Sequence, residues 1–118
     1  MIEHRAFFGD GEKTFALTFP MIKELEAKTG AGIGVLFRRI QSLAFSAADL
    51  SEIIRLGLIG GGMAPEPAMQ LVKTYVDDRP LSESLPVAMG ILSARWFGST
   101  PAEDEATAIN DILEQVPA

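Results

Sequence analysis

A chain of 118 residues, 47% of them apolar, carries enough hydrophobic side chains for one core and has no room for a second full domain. Its formal charge of -6 argues against a phosphate-neutralising surface, and so against nucleic-acid binding, because that affinity comes mostly from lysine and arginine displacing counterions. With no cysteine there is no disulfide framework, thiolate nucleophile or cysteine-based zinc site; the compartment is left open, and a reducing cytoplasm fits.

From residue 2 to residue 19 the apolar residues alternate around Gly9-Asp10-Gly11, with Ala6 and Phe8 before the turn and Phe15, Leu17 and Phe19 after it. Period two predicts a β-hairpin with Phe15, Leu17 and Phe19 on one face, and Asp10-Gly11 is expected to supply the positive backbone angles of a tight turn. A lone hairpin is marginally stable, so this face must pack on helices or on another subunit. Glu3, Arg5 and Asp10 interrupt the first dozen residues, and no export signal is expected. The uncharged run 56–65 is about half of what a membrane-spanning helix needs, so no membrane association is expected.

Thr18 and Pro20 predict a helix start, as N-cap and as a first-turn proline whose missing amide would have had no partner. The helix is expected over 21–28, with Ile22 and Leu25 inward and Gly30 as its stop. Ile33, Leu36, Phe37, Ile40 and Ala44 predict a short second helix with Arg38, Arg39 and Gln41 opposite, an arginine face that reads first as solvated, and otherwise as paired with acids of a neighbouring helix or recognising a partner carboxylate. Ser46 and Asp49 have the spacing of a capping box and open a third helix through Leu50, Ile53 and Ile54, which ends at Gly60, Gly61 and Gly62. After Pro65 and Pro67, Ala68, Leu71, Val72, Tyr75 and Val76 predict an amphipathic helix closed by Asp77, Asp78 and Pro80. Ser82 or Ser84 is expected to open a fifth helix, apolar nearly all round, that runs through Val87, Ile91, Leu92, Trp96 and Phe97 to Gly98. Thr100, Pro101 and Glu103 form a second capping-box pattern, ahead of the narrow stripe Ile109, Ile112, Leu113 and Val116. The fold class is therefore mainly α with a small N-terminal β-hairpin: a compact bundle of about five to six short helices. One domain is expected over 1–118, with the hairpin at 2–19, a helical core at 20–98 and a final helix at 100–116 free to detach.

Catalytic machinery is not apparent. The run Thr29-Gly30-Ala31-Gly32-Ile33-Gly34 has neither dinucleotide spacing nor a Gly-Lys-Ser/Thr ending, and no lysine, serine or threonine follows Gly60 to Gly62. Those three glycines read as a bent interhelical loop, or as a contact loop where backbone approaches a partner. The single histidine, His4, lies by the N-terminus without a spaced ligand set, and Asp77-Asp78-Arg79 reads as a solvated helix end. No catalytic, cofactor-binding or metal-binding residue is assigned and no cofactor is expected. Adjacent Trp96 and Phe97 cannot both enter one small core, so one of them is a candidate interface anchor, and Met63 and Met69 by the glycines read as core filling or as part of an adaptable groove. The partner-binding set is Leu58, Ile59, Gly60, Gly61, Gly62, Met63, Trp96 and Phe97.

The ordered pieces Leu17-Thr18, then Glu24-Leu25-Glu26-Ala27, then Gly30, then Ser46-Ala47-Ala48-Asp49-Leu50, then Gly57-Leu58-Ile59-Gly60-Gly61-Gly62, resemble a known small family. Its members are encoded among the tail genes of gene transfer agents and tailed phages, and are described both as tail assembly chaperones and as tail tube proteins. The resemblance is close over roughly the first 60 residues and looser beyond Met63. It implies a non-catalytic protein that binds the tape measure protein and other tail proteins, with self-association left open, or a structural subunit of the tail itself. A tube subunit needs a long sheet that closes into a ring, which the helical segments from Met21 onward do not supply, so the chaperone reading is preferred.

Overall fold

The computed structural model describes residues 2–98, which form one antiparallel hairpin followed by five helices. The predicted final helix at 100–116 lies outside the described residues. β1 (His4–Phe8) pairs with β2 (Gly11–Phe15) in a register running from His4↔Phe15 to Phe8↔Gly11, which leaves Gly9 and Asp10 as a two-residue turn. Gly9 has φ +68° and Gly11 has no positive φ, so the left-handed residue sits one step ahead of the Asp10-Gly11 pair expected to carry it. Glycine at the first of two turn positions is the type II′ arrangement, whose twist matches that of the strands. Tertiary contact also selects glycine there, since a Cβ on Gly9 would stand 2.7 Å from Tyr75 Cδ2. Lys13 bridges the turn to Asp10 at 2.7 Å, and its hydrogen bond and charge hold the Asp10 carboxyl below the ordinary carboxylate range.

The predicted alternation stops at Phe15. Phe15, Ala16 and Leu17 are all buried in succession, while Phe19 is exposed and is the first residue of α1 (Phe19–Thr29) rather than part of a strand face. Thr18 caps this helix by accepting from the Met21 amide, Pro20 stands in its first turn, and Gly30 closes it at φ +73°. α2 (Ile33–Gln41) begins at Gly32, which has no side chain to cap it. Glu26 of α1 substitutes, its Oε2 accepting the Ile33 amide at 2.9 Å and satisfying a donor that the helix itself cannot. Leu36, Phe37 and Ile40 are buried as the spacing predicts, but Ala44 falls beyond the helix end and is exposed.

α3 (Ala47–Gly60) is the central element and touches β2, α1, α4 and α5. Its capping box is complete: the Asp49 amide donates to Ser46 Oγ at 3.1 Å and the Ser46 amide donates to Asp49 Oδ2 at 2.9 Å. The same buried carboxylate accepts Arg39 Nη1 at 3.3 Å, which ties the end of α2 to the start of α3. One of the two arginines of α2 is thus an internal tether. Leu50, Ile53, Ile54, Leu56 and Leu58 are buried, and with Phe15, Leu25, Leu36, Ile40 and Ile91 they make up much of the core.

The amphipathic stretch predicted as one helix changes winding part-way. α4 (Pro65–Val72) passes into a π-helical turn, Lys73–Asp77, while Ala68, Val72 and Val76 all remain buried. The wider turn keeps Val76 in the core and lets Tyr75 pack edge-on against Phe8, with ring centroids 6.1 Å apart. α5 (Leu81–Phe97) starts directly after Pro80, earlier than either serine expected to cap it, and the Ser84 hydroxyl instead donates back to the Leu81 carbonyl. Gly98 ends it at φ +103°.

Candidate functional site

Two of the three glycines after Ile59 form a packing seam. Gly60 is the last residue of α3 and Gly61 its C-cap, and a Cβ on either would overlap a backbone carbonyl oxygen, that of Ala16 for Gly60 and that of Thr14 for Gly61. Without side chains the end of α3 presses directly on β2 and its extension, where the Ala16 amide donates to the Gly57 carbonyl at 2.9 Å. Only Gly62, at φ +114° and with open space around its Cα, has loop geometry. Leu58 is 1% exposed and belongs to the core, so its predicted place in a contact surface is corrected. It points inward because α3 is covered on several sides at once, which its run of adjacent apolar residues accommodates. Ile59 and Met63 are half-buried against the core.

Trp96 and Phe97 lie elsewhere, at the C-terminal end of α5. Trp96 is 57% exposed and Phe97 78% exposed, so neither enters the core. Both rest on Phe37 of α2, with ring centroids 5.0 Å away for Trp96 and 6.5 Å away for Phe97. Phe37 is itself buried, so this aromatic step is anchored to the core while its upper surface meets solvent. The predicted set therefore splits into a buried member, a seam, two half-buried residues beside it, and an exposed aromatic pair.

A family model described as phage tail tube protein, GTA-gp10, matches residues 1–98. The chain belongs to this family. No curated protein and no solved structure matches it. The fold of this phage tail protein is the one its sequence predicts, a hairpin followed by helices. No helix among the described residues is long and apolar enough to cross a membrane, and no group of three or more potential metal ligands occurs among them.

Several features of the tail protein had little or no signal in the sequence. A groove of about 170 Å³ runs beside the hairpin tip, between Phe7, Phe8 and Tyr75 on one side and Arg79, Glu83 and Val87 on the other. Arg79 and Glu83 pair through two hydrogen bonds, 3.0 and 3.3 Å, and the carboxylate raises the arginine further above its ordinary value. Their i, i+4 spacing across the helix start was the only clue available. His4, expected near the chain end, is buried in β1 against Phe15 and over Gly90, where a Cβ would collide with its ring. Leu43, exposed at φ +60°, follows α2 with no glycine to announce the turn.

Proposed function

We propose that this tail protein is an assembly chaperone that engages the apolar helical tape measure protein through the aromatic end of α5, and that it acts in the bacterial cytoplasm without chemistry of its own. The observation that carries the reading is the exposed Trp96 and Phe97 pair seated on buried Phe37. Large aromatics held on a fixed base lose little conformational freedom on binding and contribute most of the energy of a typical interface. Modest affinity per copy is sufficient, because many copies along one long repetitive partner act together.

Co-expression with a tape measure protein should yield a co-purifying complex, and the double variant Trp96→Ala/Phe97→Ala should weaken it about tenfold or more while the variant stays folded. Stoichiometric amounts of the chain in purified tails or particles would overturn the chaperone reading. A second reading, a structural tube or connector subunit, is favoured by the family's description as tail tube protein and by the outer edge of β1, which makes no backbone hydrogen bond outside the hairpin among the described residues. Against it stands the supply of strands: among the described residues there are two, and a closed ring of sheet needs more from each subunit or a different fold state.

A further inference from the structure

In a hairpin closed by a two-residue turn, the pair flanking the turn exchanges ladder bonds, and every second pair after it does the same. Phe8, Ala6 and His4 therefore direct their backbone groups at β2, and Arg5 and Phe7 direct theirs outward. On β2 the outward groups belong to Glu12 and Thr14, continued by Ala16. That side is covered, since Ala16 bonds to Gly57 and the Thr14 and Ala16 carbonyls lie under Gly61 and Gly60. The β1 side is unpaired: among the described residues, neither Arg5 nor Phe7 makes a backbone hydrogen bond outside the hairpin. Proteins that stay monomeric blunt such an edge with proline, lysine or a bulge, whereas this one presents Phe7 at 73% exposure.

We propose that the outer edge of β1 is a self-recognition surface, on which two copies of the chain pair their β1 strands antiparallel about a twofold axis at Ala6. This register sets Arg5 of each copy opposite Phe7 of the other on the solvent face, and it joins the two hairpins into one four-stranded sheet. Side chains directly opposite on neighbouring strands stand close enough for a guanidinium to lie over an aromatic ring. Beyond that ring is Glu12, which opposes Phe7 in the hairpin and makes no ion pair among the described residues. Among the described residues Arg5 pairs with Glu3, just ahead of β1, at 3.1 Å on the surface, so its charge is available to the Glu12 of a second copy. Shifting the axis to Arg5 would place two guanidinium groups opposite each other, and shifting it to Phe7 would set Arg5 against Gly9. The side-chain pattern thus selects a second copy in one register. Because each copy uses the same edge, the assembly closes as a dimer and does not propagate.

Sedimentation equilibrium of the full chain alone, from low micromolar to millimolar concentration, tests this independently of any tail partner. A monomer–dimer equilibrium is expected. Arg5→Glu should weaken it about tenfold, through two symmetric contacts, and Arg5→Glu/Glu12→Arg should recover the share carried by the ion pair with residue 12 but not that carried by the ring of Phe7. Phe7→Pro removes an outward amide and spares the ladder bonds, so it should give a monomer with an unchanged circular dichroism spectrum. If that variant fails to fold, the exposed Arg5 and Glu12 exchanges still decide the matter. A monomer at every concentration, a ring or longer polymer, or a dimer equally tight in Arg5→Glu would each overturn the proposal. So would capture of another protein's extended segment at this edge by a chain that never self-associates.

Discussion

Leu43 is the residue most at odds with its own backbone. It sits at φ +60°, a conformation that costs a non-glycine L-residue roughly 1–2 kcal/mol, and its side chain is 69% exposed. The local bonds account for the geometry: the Ala44 amide donates to the Arg39 carbonyl at 2.8 Å and the Leu43 amide to the Ile40 carbonyl at 3.4 Å. These are the two bonds of a Schellman ending, in which glycine ordinarily holds the left-handed position. Leu43→Gly should therefore raise stability by about 1 kcal/mol, seen as a higher urea midpoint with an unchanged slope. A lower midpoint would show that the leucine side chain makes contacts worth more than the strain. The sequence carries no signal for this turn, because leucine at a helix end ordinarily continues the helix.

At the scale of elements, the seam between α3 and the hairpin decides the sign of an otherwise favourable change. Alanine in place of glycine at the end of a helix would gain up to about 1 kcal/mol from propensity alone. At Gly60 or Gly61 the added methyl meets the carbonyl of Ala16 or Thr14, part of a backbone that is itself hydrogen-bonded and cannot give. Gly60→Ala and Gly61→Ala should each destabilise by about 1–3 kcal/mol in denaturant unfolding, with the hairpin amides losing hydrogen-exchange protection first. Gly57→Ala should cost less, since its methyl would stand 3.1 Å from Ile91 Cδ1 and 3.3 Å from Phe15 Cδ1, side chains that can shift. Local chemistry predicted the ends of α1 and α3 well, because Thr18, Gly30, Ser46 and Asp49 act on neighbours within a few positions. It missed the start of α5 and the π-helical turn, where Pro80 and the packing of Val76 and Tyr75 govern and not a cap.

For the molecule as a whole, the predicted contact residues separate by burial. Leu58→Ala should lower stability by about 2–5 kcal/mol, through lost transfer energy and a residual cavity. Trp96→Ala should cost only about 1 kcal/mol, the worth of its contact with Phe37, and act mainly on partner binding. Equal losses in the two thermal melts would place Trp96 in the core and remove it from the proposed surface.

The sequence by itself determined the fold class, the family and most helix boundaries, since periodicity, caps and composition act through near neighbours. Only the tertiary structure decided that Gly60 and Gly61 seal one edge of the hairpin, that Leu58 is core, and that Trp96 and Phe97 share Phe37 as a base. Each of these depends on contacts between residues far apart in the chain, and a one-dimensional pattern carries no record of which apolar face meets which.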